Sequence, residues 1–256
     1  MLNKISKTRA PKTESQPEPS QTARVTLALR EMLLEGRFQP GERIREVPLA
    51  AELGVSRIPL RLVLASLAHE GFLSVRPTRG FVVQQFSRED IHEAIDLRGL
   101  LEGMAARMAA ERISDAQDTA RLEALNGELA LLVRRRKPTA AYLQAYIDLN
   151  AKFHEEILRL AGSKILERAM QHAYSLPFAS PSAFVKRQYI TPESRELFQI
   201  AVDQHKVILE AIAGRDSARA ETLSREHARL ARRNLETALR HGEIATFVPG
   251  MRLVKL

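Results

Sequence analysis

Cysteine is absent from the 256-residue sequence. Without thiols the chain can form neither a disulfide framework nor a thiolate metal site, and reaction classes that use a cysteine nucleophile are excluded. Aromatic residues are also scarce, at 5% of the chain. The lack of cysteine is compatible with a protein that works in a reducing cytosol.

Long apolar runs are absent as well. No stretch approaches the roughly 18 residues that a membrane span requires, and residues 1–20 carry charges but lack the apolar core of a secretion signal. We therefore expect a soluble, cytoplasmic protein with no membrane partner. Residues 1–20 are rich in Lys, Ser, Thr, Gln and Pro, and this composition predicts a disordered basic arm.

What the sequence does contain is a helix-forming composition and a basic charge. Ala, Leu and Arg recur through a long middle part with few Gly or Pro, which is typical of helical proteins, and the length favours two domains. The net charge is +8; residues 1–86 hold 13 Lys/Arg against 8 Asp/Glu, whereas the remainder holds 26 against 23. The basic excess near the N-terminus indicates nucleic-acid binding only beside a suitable motif.

Residues 21–86 have the pattern of a winged helix-turn-helix domain. Apolar residues at helical spacing predict a first helix over 22–35 and a second over 47–53, which a glycine closes. Ser56 is a natural N-cap for a third helix that runs to about Glu70. This third helix is predicted to enter the major groove of DNA.

Two short β-like runs follow the third helix. Residues 72–75 and 81–83 flank the basic turn Arg76-Pro77-Thr78-Arg79-Gly80, which predicts a β-hairpin wing. In the third helix Arg57 and Arg61 are four residues apart, so they project from one face near its N-terminus, where either could bond guanine O6 and N7. Taken alone, such a pair is more often two ordinary surface charges.

Beyond Ser87 the periodicity is helical and no strand pattern occurs. Prolines in 176–192 predict a loop, and the tail 242–256 is expected to be irregular. We interpret 87–241 as an all-helical domain for effector binding and dimerisation. The predicted fold class is therefore mostly α, with an N-terminal winged helix-turn-helix and a C-terminal all-α helical bundle. The predicted helical segments of the bundle are 88–112, 115–137, 139–161, 163–175, 192–213 and 216–241.

Two pairs of polar side chains in the second domain have spacings that can bring the members of each pair together. Asn150 and His154 are four residues apart, on one face of a helix. A helical hairpin that turns at 214–216 would lift His205 and His227 about 14 and 16 Å from the turn, to similar heights. Such a set can bind a divalent metal, although single helical histidines are more often core or surface residues than ligands.

The stretch 30–86 closely resembles the winged DNA-binding domain of the GntR family. The resemblance implies contacts to operator phosphates or bases, with the wing tip at Gly80 entering the minor groove. The matching blocks are Pro40-Gly41-Glu42-Arg43, Glu52-Leu53-Gly54-Val55-Ser56-Arg57, Glu70-Gly71-Phe72-Leu73 and Arg76-Pro77-Thr78-Arg79-Gly80. The candidate DNA-binding residues are Arg45, Ser56, Arg57, Arg61, Arg79 and Gly80.

The chain departs from the family pattern within the third helix. It has Ile58-Pro59-Leu60-Arg61-Leu62-Val63-Leu64 where the family usually has Thr-Pro-Val-Arg-Glu-Ala-Leu. A hydroxyl expected at a phosphate contact and an acidic residue are both missing. The departure implies an unusual DNA preference.

Residues 88–240 resemble the helical FCD effector domain of the FadR subfamily of GntR regulators. In that subfamily an Asp or Asn and three His hold a divalent metal at the floor of a small-molecule pocket, and zinc or nickel suits imidazole ligands. The motifs are Arg98-x-x-Leu101-Glu102, Asn150-x-x-Phe153-His154 and His205-x-x-Ile208-x-x-Ala211-Ile212 followed by His227. The implied metal ligands are Asn150, His154, His205 and His227.

Asn150 and Arg98 indicate which kind of ligand this pocket is expected to bind. Asn150 in place of Asp leaves the site one negative charge short, so we expect weaker metal binding and an anionic effector that completes the charge balance. The resemblance suggests Arg98 as the group that grips an effector carboxylate. An exposed ion pair between Arg98 and Glu102 is the alternative.

Together these patterns predict a transcriptional repressor that binds operator DNA as a homodimer and responds to a small carboxylate metabolite, and that is not an enzyme. Two alternatives stay open. Three histidines around a metal could serve a hydrolase, although His154-Glu155 lacks the second histidine of the metalloprotease signature, since position 158 is Leu. The protein could also bind DNA without an effector, its four candidate ligands being purely structural.

Overall fold

A computed structural model describes residues 20–134, 139–180, 192–240 and 250–255. Of the predicted N-terminal arm it includes only Ser20, whose hydroxyl caps the first helix by accepting a hydrogen bond from the Ala23 amide; the rest of the arm lies outside the described residues. The N-terminal elements are α1 (Gln21–Leu34), α2 (Glu46–Glu52), α3 (Arg57–His69), β1 (Leu73–Arg76) and β2 (Gly80–Val83). The strands pair antiparallel, with Leu73 opposite Val83.

The winged domain folds around one apolar core. In α1, Val25, Leu29 and Leu33 recur every four residues and are buried, so this stripe packs on the buried face of α3. Gly54 has φ +64°, the left-handed conformation that lets the chain turn sharply from α2 into α3. The predicted helix-turn-helix and hairpin wing are confirmed.

The second part of the described chain is helical throughout. At its centre α4 packs closely against α9, and glycine permits the approach, because a Cβ on Gly103 would lie 2.5 Å from Cγ of Arg225. No helix of the described residues is both long and apolar enough to cross a membrane. The elements are α4 (Arg88–Arg112), a 3₁₀ turn (Ala116–Thr119), α5 (Ala120–Val133), α6 (Ala140–Ala161), α7 (Lys164–Ser175), α8 (Pro192–Ala213), α9 (Ser217–Ala228) and α10 (Leu230–Arg240).

The single helix predicted over 216–241 is wrong, because the structure breaks it at Arg229 into α9 and α10. A tertiary hydrogen bond accounts for the break. Nη2 of Arg98 donates to the carbonyl oxygen of Ala228 at 3.0 Å, and the amide of Arg232 bonds instead to the carbonyl of Arg229. The helical ladder is thereby interrupted where α9 meets α4.

Residues 250–255 lie at the junction of the two domains. Leu253, in a 3₁₀ turn, is fully buried in the core of the winged domain, while Met251 and Val254 pack in a cluster with α4 and α10. The amide of Phe86 donates to the carbonyl of Leu253, and the amide of Lys255 donates to the carbonyl of Phe86, both at 2.7 Å. The end of the predicted irregular tail is thus packed against both domains.

Candidate nucleic-acid interface and metal centre

A basic groove of about 620 Å³ lies between the start of α2, the start of α3 and the wing. Among the described residues that line it, four carry guanidinium groups and two, Glu42 and Glu46, carry carboxylates. Such a positive groove beside a recognition helix suits the phosphate backbone of DNA. The arginines are Arg43, Arg45, Arg57 and Arg79, and Gly80 completes the rim at the wing.

The remaining candidate residues flank this groove. Arg61 lies on the outer surface of α3, where its Nε is 3.7 Å from a carboxylate oxygen of Glu46; a pair this exposed is worth little, so DNA can displace it. Ser56 is exposed at the N-cap position of α3, although in the described structure its side chain makes no capping hydrogen bond. Gly80 has φ +67°, and a Cβ built there would meet no described atom within 4 Å.

Arg43 was not among the predicted DNA-binding residues, yet it lines the same groove. Its backbone forms an isolated β-bridge with Val82, so it lies beside the wing. The signal was present in the Pro40-Gly41-Glu42-Arg43 block, whose last residue the sequence analysis did not single out.

Three histidines from three helices converge in the second domain. His154 of α6, His205 of α8 and His227 of α9 each offer a ring nitrogen, and these atoms all lie within 4.8 Å of one another. Nε2 of His205 is 3.1 Å from Nε2 of His227, close to the separation of about 3.3 Å between two nitrogens that share a tetrahedral zinc ion. Asn150 is buried and lines the same cavity as His154 and His227.

A close carboxylate behind His154 and a hydrogen bond behind His227 indicate which nitrogen of each ring faces the centre. Nδ1 of His154 lies 3.3 Å from Oε1 of Glu102, and Nδ1 of His227 lies 3.0 Å from Oε1 of Gln204. A proton on each Nδ1 leaves the Nε2 lone pair for the centre. Glu102 and Gln204 were not predicted as site residues, although Glu102 belongs to the Arg98 motif and Gln204 directly precedes His205.

The three imidazoles are held in the neutral form. Burial, together with the positive charge of the nearby Arg98, lowers the pKa of His154 to about 3. Burial and the neighbouring His154 lower the pKa of His227 to about 3, and the pKa of His205 lies well below its ordinary value for the same reasons. Neutral imidazoles have the free lone pair that a metal ligand requires.

Arg98 and Glu102 are buried, with 3% and 4% of their side chains exposed, so the alternative of an exposed ion pair is wrong. Nη1 of Arg98 donates to the carbonyl of Ala179 at 2.9 Å and Nη2 to that of Ala228 at 3.0 Å. Arg98 also lines the cavity beside His154. The cavity holds only about 30 Å³, enough for an ion or a water molecule but too small for a metabolite.

The fold is that of a two-domain helix-turn-helix protein, in which a winged helix-turn-helix precedes a helical domain with a histidine-lined cavity. Residues 21–83 match the family described as bacterial regulatory proteins of the gntR family, and residues 93–230 match the FCD domain family. The chain belongs to the GntR family and carries an FCD domain.

Individual relatives agree with this assignment. The chain is 29% identical over 154 residues to the HTH-type transcriptional regulator YdhC of Bacillus subtilis. The matched region covers 58% of this chain and 64% of YdhC, so the chain spans less than two thirds of that relative's length. It is 25% identical over 199 residues to the transcriptional repressor GlaR of Escherichia coli, covering 78% of this chain and 88% of GlaR. The structure of E. coli McbR/YncC matches with a TM-score of 0.57 at 24% identity, covering 88% and 99% of the two chains, and supports the fold.

Proposed function

We propose that the protein is a homodimeric transcriptional repressor whose operator binding responds to a small carboxylate metabolite held beside a divalent metal ion. The observation that carries the proposal is the convergence of three buried, neutral imidazoles, two of which, His154 and His227, line a small cavity. Folding and DNA contact require no such cavity in the second domain, whereas a sensor does. The relative GlaR is named a repressor, which favours repression.

A divalent ion fits the side chains of the cavity. Nε2 of His154 is buried without a hydrogen-bond partner among the described residues, and an unsatisfied buried nitrogen is costly unless it has another role. Nε2 atoms of His154, His205 and His227, with Asn150, would hold zinc or nickel, and the ion would supply a positive centre for an anion. Glu102 and Gln204 would orient two of the imidazoles.

The charges of the cavity favour an anionic effector. Glu102 is the acidic neighbour of both His154 and Arg98, and its single negative charge offsets that of Arg98, so a divalent ion would leave an excess of positive charge. A metabolite needs more than the available 30 Å³, so its binding would displace the wall that α8 and α10 form, including Phe198 and Leu230. Such a displacement is how effector binding would shift the population of DNA-binding conformations.

The DNA-binding half of the proposal uses Arg45, Ser56, Arg57, Arg61, Arg79 and Gly80, as the sequence predicted, together with Arg43. Two copies related by a two-fold axis would place two α3 helices on the half-sites of a pseudo-palindrome. The two α3 helices, each weakly specific alone, then combine their contacts on one operator.

The proposal is tested by titrating the purified protein against its own upstream promoter and against random DNA at physiological salt. We expect tighter binding to the promoter, a response to one member of a panel of small carboxylates, and a half-site repeat in the footprint. Equal affinity for promoter and random DNA, with and without the carboxylates, would overturn it.

The metal is tested separately by measuring the zinc and nickel content of the protein and of His154→Ala, His205→Ala and His227→Ala. We expect bound metal in the parent protein and its loss in each variant. His172→Ala is the matched control, because His172 of α7 is not part of the cluster. Negligible metal in all five proteins would remove the metal from the proposal.

A further inference from the structure

The exposed face of α3 carries two large apolar side chains. Ile58 is 77% exposed and Leu62 is 64% exposed, and the exposed Ala65 lies about 20° from Ile58 around the helix, on the side away from Leu62. The fully buried Leu67 lies nine residues after Ile58, which places it about half a turn away, on the core side. Ile58 and Leu62 therefore point away from the domain, and its packing does not explain their apolar character.

The charges around this face indicate what covers it. Arg57 lies in the basic groove at one side, with Arg43, Arg45 and Arg79, and Arg61 lies on the outer surface at the edge of the apolar face. A polyanion that fills the groove brings the outer face of α3 against it. For duplex DNA held by its phosphates, that face enters the major groove.

The side chains at the centre of the face cannot read bases by hydrogen bonding. Ile58, Leu62 and Ala65 have no donor or acceptor, and no carboxylate is present at position 62 to accept from the amino group of cytosine. The one apolar group that a base pair presents in the major groove is the C5-methyl group of thymine. An exposed alkyl pair thus matches T·A pairs in preference to C·G pairs.

We propose that Ile58 and Leu62 determine operator specificity by packing against thymine methyl groups, so that each half-site carries T·A pairs beneath the start of α3. The inference rests on the proposed function, since it requires sequence-specific DNA binding. Arg61, at the edge of the face, is left to hydrogen-bond an adjacent base pair. The apolar pair occupies two of the positions at which the chain departs from the family pattern.

The test begins with selection of binding sites by the full-length protein from a randomised duplex library. Each thymine of the selected half-site is then replaced by deoxyuridine, which removes only the methyl group. We expect affinity to fall about fourfold for each contacted methyl, the equivalent of one buried CH₂ group. Ile58→Ala and Leu62→Ala should bind the parent site more weakly and lose the deoxyuridine effect at the position that each side chain contacts.

A matched control separates this effect from a general loss of surface apolar area. Leu131 of α5 is 66% exposed, slightly more than Leu62, and Leu131→Ala should keep both the affinity and the deoxyuridine effect. Circular dichroism melting checks that the α3 variants remain folded, which their exposure favours.

Each contrary outcome is distinct. Failure to select any sequence would overturn the proposed function and this inference with it. Selected half-sites without a T·A pair that is sensitive to methyl removal, or an unchanged deoxyuridine effect in Ile58→Ala and Leu62→Ala, would overturn the inference alone. Loss of a dimer in Leu62→Ala with no change in DNA preference would instead make the face a protein contact.

Discussion

Oε1 of Glu102 on α4 lies 3.3 Å from Nδ1 of His154 on α6. The same oxygen accepts a hydrogen bond from the hydroxyl of Tyr174 at 3.1 Å, and the other oxygen lies 3.5 Å from Nε of Arg98. One buried carboxylate therefore joins a candidate metal ligand to the guanidinium that bonds Ala179 and Ala228. Glu102 therefore contacts both the candidate ligand His154 and the arginine that bonds the backbone near the end of α9.

Substitution of Glu102 is expected to weaken metal binding. In Glu102→Gln a neutral amide replaces the carboxylate whose negative charge holds the Nδ1 proton of His154, so the affinity for zinc should fall about 10–100-fold. Competition with a chromophoric chelator measures the change. The control is Glu111→Gln, which removes a carboxylate from an exposed position of the same helix and should leave the affinity unchanged; equal affinities in both variants would contradict the role of Glu102.

Asn150→Asp should raise metal affinity. The carboxylate adds the negative charge that three neutral imidazoles lack, but in the metal-free protein it is a buried charge and should lower the melting temperature. Zinc should therefore raise the melting temperature of the variant by more than it raises that of the parent protein. If zinc shifts both proteins equally, Asn150 is not a ligand.

Removal of Arg98 should destabilise the helical domain by about 3–5 kcal/mol, because Arg98→Met leaves Glu102 as an uncompensated buried charge and leaves two carbonyls without their donor. Urea unfolding followed by circular dichroism measures the loss. The double variant Arg98→Met/Glu102→Leu removes both charges and should recover part of the stability. A single variant as stable as the parent would show that the buried pair contributes nothing to folding.

Local sequence patterns predicted the elements but not the contacts made between distant segments. Gly54 and the wing turn act within a few residues, and the fold follows them; α3 also begins directly after Ser56, although that side chain makes no capping hydrogen bond. The break at Arg229 depends on Arg98, 130 residues before Ala228, and no local pattern contains that bond. The three histidines could be grouped from spacing and resemblance, whereas the hydrogen bond from His227 to Gln204 depends on how the two helices are rotated.

Arg43→Ala is expected to weaken DNA binding for all sequences alike. Its guanidinium lines the basic groove, and a phosphate contact carries no base information. The slope of log affinity against log salt should fall by about one unit. Fluorescence anisotropy across a salt series measures it, with Arg134→Ala at the exposed end of α5 as the control; a slope equal to that of the parent would exclude a phosphate contact by Arg43.

Leu253→Ala should lower the stability of the winged domain although Leu253 lies about 170 residues after the end of that domain in sequence. The side chain is fully buried in the core formed by α1 and α3, so its truncation should cost about 2–5 kcal/mol. Thermal unfolding measures the loss, and Lys255→Ala is the control, since it removes an exposed side chain and keeps the amide that bonds Phe86.

Because residues 250–255 also pack on α4 and α10, the unfolding of the two domains should become less cooperative in Leu253→Ala and stay unchanged in the control. Equal melting curves for the two variants would show that the buried turn adds nothing to the junction.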